Sequence, residues 1–148
     1  MHISRATKED LPAVRALMNQ YGNKMLVEEY HLNRRDIALQ ARDNDGKLAA
    51  FVWGGLMANN QVMYIDKVAC DPQYIGKGLI NQLYKELFKL ALKRGVREGF
   101  GIIRQDQYHD KACVNALKMA FGADRHSYTH VSGSASHILK ELESLEVQ

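Results

Sequence analysis

The segment Val68-Ala69-Cys70-Asp71-Pro72-Gln73-Tyr74-Ile75-Gly76-Lys77-Gly78 constrains this chain more than any other. An apolar strand runs into Asp-Pro, then into Gln-x-x-Gly-x-Gly, then directly into a long amphipathic helix. Closely spaced glycines permit φ > 0 and let a ligand approach the backbone without meeting a Cβ. Several amide N–H groups then converge at a helix N-terminus, where the macrodipole favours an anion. Such a turn suits a phosphate. A P-loop needs G-x-x-x-x-G-K-[ST], but here Lys77 lies between the glycines and Leu79 follows them. The dinucleotide fingerprint G-x-G-x-x-G needs a third glycine where this chain has Asn81.

Around that turn the chain reads as alternating strands and helices. His2 to Ala6 alternates as a strand, and Thr7 caps a helix with Asp10 in a capping-box position and Pro12 in the first turn. Leu11, Val14, Leu17 and Met18 have helical spacing and belong to the core. Residues 23–35 fit either a short helix or an ordered loop. Ile37, Leu39 and Ala41 alternate as a strand, and Asp43-Asn44-Asp45-Gly46 is a hairpin turn leading into a strand over 48–57. After Ala58-Asn59-Asn60 a strand runs over 62–70, whose residues Val62, Tyr64, Asp66, Val68 and Cys70 share a face by the period of two. In the helix after the glycines, Leu79, Leu83 and Leu87 form one stripe, Ile80, Tyr84 and Phe88 its neighbour, and Gly95 stops it. Gly99 to Ile103 reads as a strand and Lys111 to Ala120 as a helix. Tyr128 to Val131 and Ser136 to Leu142 read as a last hairpin around Ser132-Gly133-Ser134, with a helix over 140–147 as the competing reading.

At 148 residues the chain is expected to form one domain, 1–148, with a proper core. A net charge of +3 is too small to indicate nucleic acid, and no basic run exceeds two residues. The N-terminus lacks a signal-like apolar region, and no stretch reaches about 18 apolar residues, so no membrane partner is expected. Cys70 and Cys113 lack metal-ligand spacing and read as buried thiols in a reducing cytoplasm. His109, His126, His130 and His137 gather in the last quarter, a spacing common by chance, and no metal is expected. Trp53 reads as core or cleft wall, and the adjacent Glu28 and Glu29 as solvated.

Gln73, Gly76 and Gly78, placed after the fourth strand and before a helix, resemble motif A of the GNAT superfamily of acyl-CoA-dependent N-acyltransferases. The order of elements is similar to that family over nearly the whole chain. The resemblance implies an α/β fold with a mixed, mostly antiparallel central sheet of about six or seven strands, strands four and five splayed, flanked by about four helices. It implies an N-acetyltransferase using acetyl-CoA as donor and a primary amine as acceptor in a ternary complex, with a homodimer left open. Backbone groups of Val68, Ala69 and Cys70 would hold the pantetheine arm as a strand edge holds a peptide. Amides from Gln73 through Tyr74, Ile75, Gly76, Lys77 and Gly78 to Leu79 would hold the pyrophosphate. Many members carry Arg where this chain has Ile75, which removes a side-chain cation and spares the backbone cradle.

The resemblance also places Asp66 as the carboxylate that takes the amine's proton; pairing with Lys67 or Arg104 is its structural alternative. Aligning Lys118-Met119-Ala120-Phe121 with the family's Lys-x-Gly-Phe, and Ala112 with its preceding Ala, puts the family's usual general-acid Tyr at Ala116. Tyr108, Tyr128 or water would then protonate the leaving thiolate. The rival readings are a non-catalytic acyl-CoA-binding module and a partner-binding module of the same fold.

Overall fold

The computed structural model of the chain describes residues 1–21, 36–104 and 128–145, with backbone alone at 21, 102–104 and 128–133. The described strands are β1 (His2–Arg5), β2 (Ile37–Arg42), β3 (Leu48–Met57), β4 (Val62–Cys70), β5 (Glu98–Arg104) and β6 (Tyr128–Ser134). The described α-helices are α1 (Leu11–Tyr21), α2 (Leu79–Lys93) and α3 (Ala135–Ser144), with short 3₁₀ turns at Lys8–Asp10 and Pro72–Tyr74. The strands form one mixed sheet in chain order, antiparallel at every step except the parallel pair β4–β5. The segment 23–35 and the expected helix over 111–120 lie outside the described residues.

Helices cover both faces. On one face α2 buries Leu79, Ile80, Leu83, Tyr84, Leu87, Phe88 and Ala91, packing with α3 against Ile37, Leu39, Val52, Met63 and Ile65. On the other, Val14, Leu17 and Met18 of α1 cover Ala38, Phe51, Trp53 and Ala69. Burial on both sides explains why the first seven residues of β3 are uniformly apolar and why β2 is apolar except at Gln40 and Arg42. Trp53 is core, its ring edge-on to Phe51 at 6.3 Å. The helix stop expected at Gly95 is present: Val96 N–H donates to the Ala91 carbonyl at 3.1 Å and the Val96 side chain is buried beside the helix end.

Two sequence expectations are corrected. The last hairpin is instead strand β6 followed at once by helix α3. Ser134 Oγ accepts the His137 N–H at 3.2 Å as an N-cap, and Ala135, Ile138 and Leu142 are buried at helical spacing against α2. The stretch 136–142 alternates well enough for a strand, but only the helical register delivers its large apolar groups to the core. Second, β4 does not present one face throughout. Trp53 pairs with Lys67 and Gly54 with Ile65, which leaves Asp66 as the extra residue of a β-bulge. Met63 and Ile65 before the bulge face the α2 core, and so do Val68 and Cys70 after it, with Ala69 on the α1 side. The alternation therefore flips by one residue at Asp66.

Removing the α3 cap is a direct check on this end of the fold. Ser134→Ala is expected to lower unfolding stability by about 1 kcal/mol with an unchanged denaturant slope. A urea titration showing no loss would place 135–144 outside a capped helix.

Candidate active site

The site begins where the β4–β5 ladder ends. The two strands pair from Val62↔Glu98 to Ile65↔Gly101 and no further. Beyond that point β5 pairs with β6 alone, through Ile102↔His130 to Arg104↔Tyr128, while β4 stays on β3 through Val68↔Val52, Ala69↔Phe51 and Ala50↔Cys70. Residues 66–70 thus have a β5-side edge that no β5 residue occupies. Val68, Ala69 and Cys70 lie on that edge.

β4 is followed by Asp71, whose N–H donates to the Ala49 carbonyl at 2.8 Å. The Asp71 side chain, 7% exposed, caps the following 3₁₀ turn by accepting the Gln73 N–H at 3.0 Å, and it meets Lys47 Nζ at 2.9 Å. Burial alone would raise this carboxyl; the Gln73 amide and Lys47 outweigh it and hold the group below the ordinary aspartate range. Inside the turn, Tyr74 N–H donates to the Asp71 carbonyl, Ile75 N–H to that of Pro72 and Lys77 N–H to that of Tyr74. Of the predicted cradle, then, the amides of Gln73, Tyr74, Ile75 and Lys77 close the turn itself.

The glycines decide what stays open. Gly76 has φ +80° and Gly78 φ +71°, both in the left-handed region that side chains avoid. Gly78 is the N-cap of α2 and brings no side chain to satisfy the first turn, which also lacks an acidic residue. Among the described residues the N–H groups of Gly78, Leu79 and Ile80 have no protein acceptor. A 15-residue helix thus aims its N-terminus, without a side-chain cap, out of the glycine turn that follows β4.

Asp66 sits in the bulge. Lys67 Nζ contacts its Oδ1 at 2.5 Å; the Asp66 side chain is 31% exposed and that of Lys67 12%. Among the described residues its Oδ2 has no partner. Burial, with the Asp36 carboxylate adding to it, raises the Asp66 carboxyl; burial lowers Lys67. The pairing named as the structural alternative for Asp66 is therefore present. On the parallel stretch just before the divergence, Tyr64 lies opposite Phe100 with ring centroids 5.1 Å apart. Tyr108 and Ala116 lie outside the described residues; Tyr128 is described by its backbone, paired with Arg104.

Sequence reasoning missed the contribution of the β2–β3 turn. Asp43 Oδ2 accepts the Tyr74 hydroxyl at 2.6 Å, and Lys47 reaches Asp71 and the Gln73 side chain. It follows from strand register: extending the Ala50↔Cys70 pairing outward brings Lys47 opposite Gln73. Among the described residues no group of His, Cys, Asp and Glu side chains is placed to hold a metal, and no helix is long and apolar enough to cross a membrane.

A helix N-terminus without a side-chain cap, behind a glycine turn, thus follows a strand whose parallel neighbour has left it. The sequence profile of the Acetyltransferase (GNAT) family matches residues 7–120, and the chain belongs to that family. Solved structures of the same fold include the ribosomal-protein-S18-alanine N-acetyltransferase of Escherichia coli, 21% identical, with 88% of this chain and 90% of that one covered and a TM-score of 0.65. A mutant form of the spermidine N-acetyltransferase of Vibrio cholerae is 12% identical, with 94% and 98% covered and a TM-score of 0.71. An aminoglycoside 6'-N-acetyltransferase complexed with coenzyme A is 11% identical, with 91% and 97% covered and a TM-score of 0.65. At such identities the likeness is one of fold. No curated protein sequence gives a significant match.

The Asp71 pairing has a pH signature. Because its folded pKa is depressed, the stability it contributes is present above the unfolded value and is lost as pH falls through the folded one. Urea midpoints of the wild type should fall faster from about pH 5 to about pH 2 than those of Asp71→Asn, with Asp71→Asn the less stable at neutral pH. Parallel curves would mean that the carboxylate is no better stabilised in the fold than in the unfolded chain.

Proposed function

We propose that this chain is an N-acetyltransferase that moves acetyl from acetyl-CoA to a primary amine by direct attack in a ternary complex. The observation that carries this reading is the divergence of β4 from β5 beside a glycine turn with open amides. Family membership supports it, as does the coenzyme A bound by one structural relative. The amides of Gly78, Leu79 and Ile80 take the pyrophosphate, with Gln73, Tyr74, Ile75, Gly76 and Lys77 shaping the turn that presents them. The backbone of Val68, Ala69 and Cys70 takes the pantetheine arm along the β4 edge.

The donor supplies a thioester whose carbonyl carbon accepts the amine nitrogen; a C–N bond forms, the C–S bond breaks and CoA leaves as thiolate. Asp66 accepts the proton that the attacking nitrogen must lose. Its carboxyl, raised by burial and by Asp36, is a better base than a solvated aspartate, and Lys67 fixes its orientation through Oδ1. Water, Tyr108 or Tyr128 returns a proton to the thiolate. A reducing cytoplasm is part of the same reading, and the amine's identity is a matter for the screen below.

Thermal shift with acetyl-CoA, followed by a thiol-release screen over small amines, amino acids and peptide N-termini or lysines, tests the proposal. Ligand at about 100 times its dissociation constant should add about 2.7 kcal/mol to stability. Gly78→Asp should erase that gain, since it puts a negative charge where the pyrophosphate sits and a Cβ on a left-handed residue. A full shift in folded Gly78→Asp would move the donor site elsewhere. Binding without thiol release from any amine would favour the non-catalytic acyl-CoA-binding module, to which alanine at 116 already points.

Asp66→Asn should leave acetyl-CoA affinity intact and lower turnover by about 10²-fold or more near neutral pH. The deficit should narrow at high pH, where the amine is already deprotonated. Unchanged turnover on a good acceptor would reduce Asp66 to the partner of Lys67.

A further inference from the structure

The Gln73–Gly78 turn does not hold its shape alone. The β2–β3 turn grips it at two points, and that grip is itself rigid. Asp43 Oδ1 accepts the N–H of Asp45 at 3.0 Å and of Lys47 at 2.9 Å, while Asp43 N–H donates to the Lys47 carbonyl at 3.0 Å. Arg42 ties the same turn down, donating to the Gly46 carbonyl at 2.7 Å and pairing with Asp10 at 2.9 Å. From this base Asp43 Oδ2 accepts the Tyr74 hydroxyl at 2.6 Å. Lys47 Nζ reaches Asp71 Oδ2 at 2.9 Å and Gln73 Oε1 at 3.2 Å. Lys77 Nζ lies 5.0 Å from the centre of the Tyr74 ring and Lys47 Nζ 5.8 Å from it.

The stability that Asp71 contributes does not by itself account for a lysine partner. A nearly buried carboxylate with a lysine partner is often replaced by apolar groups at no loss. It does matter for an anion site built from backbone. Such a site works by presenting donors already aimed, so whatever fixes the turn sets its affinity. It also matters for charge, because Asp71 would repel a phosphate at the adjacent amides unless a cation offset it.

We propose that Lys47, with Asp43 acting through Tyr74, is a positioning device that fixes the phosphate turn and neutralises Asp71, and so sets affinity for the phosphate-bearing half of the acyl donor. The inference rests on the donor site assigned under Proposed function. It predicts a discrimination that a merely structural role would not show. Acetyl-CoA carries the phosphates, whereas S-acetyl-pantetheine carries the same thioester and arm without them.

Affinities of both compounds, by calorimetry or competition, are to be measured for the wild type, Lys47→Met, Lys47→Arg and Tyr74→Phe. Lys47→Met should bind acetyl-CoA at least about tenfold more weakly and S-acetyl-pantetheine within about twofold of wild type, and Lys47→Arg should recover most of the loss. Tyr74→Phe leaves the Lys47–Asp71 pair in place and removes one hydroxyl, so it decides the matter should Lys47→Met fail to fold. It should show the same one-sided loss. Equal weakening for both compounds, or none in folded Lys47→Met and Tyr74→Phe, overturns the inference while leaving the donor site standing. A wild type that binds acetyl-CoA no better than S-acetyl-pantetheine removes the phosphate turn itself, and the positioning role with it.

Discussion

Everything at this site depends on one break in a hydrogen-bond ladder. Strands β4 and β5 are the one parallel pair in the sheet, and their pairing stops at Ile65↔Gly101 while both strands continue. A strand edge inside a domain exposes N–H and C=O groups that need partners. β4 survives because β3 holds its other edge to Cys70 and two helical layers cover its faces. The vacated edge is thus held from its other side and carries no β5 residue, and a strand fixed in this way is what an extended ligand needs in order to add to a sheet without first ordering it.

The bulge at Asp66 lies immediately beyond that break and connects it to the packing. Without the extra residue, Val68 and Cys70 would turn away from the α2 core that Met63 and Ile65 enter. With it, β4 keeps its apolar groups on the same layer before and after the divergence. The residue released from the regular ladder is a carboxylate. One local irregularity serves burial and, in the proposed function, also places the base, as bulges beside active sites commonly do.

What could be read from the sequence was what is local. The strand, the Asp-Pro step, the glycines and the stripes of α2 are contiguous and physically redundant, so the order and extent of the β4–turn–α2 unit were legible, and the resemblance built on it identified the family. The face of β4 was misread because period two carries no mark of a bulge: nothing in Tyr64-Ile65-Asp66-Lys67 says which residue is extra. The segment after Ser134 was misread because Ile138, Lys140 and Leu142 satisfy a strand, while Ala135, Ile138 and Leu142 satisfy a helix better once α2 is there to receive them. The Lys47–Asp71 contact was invisible for another reason. It joins two turns distant in the chain, and it follows from strand register, which motif reading does not supply.

The Asp66–Lys67 pair shows how far a structural and a functional account can be told apart. Neighbours on an extended strand ordinarily point to opposite faces, so an ion pair between them depends on the bulge. Burial raises one group and lowers the other, which means that the fold disfavours both charges it brings together. Such a pair contributes little to net stability, and an apolar replacement is often as good. Its location, at the first residue past the last β4–β5 rung, is where a donor held on the 68–70 edge would bring its thioester if the phosphates lie at Gly78. A base there must be weakly solvated to be strong and must be oriented to be fast. In the proposed role, burial supplies the first condition and the contact with Lys67 the second.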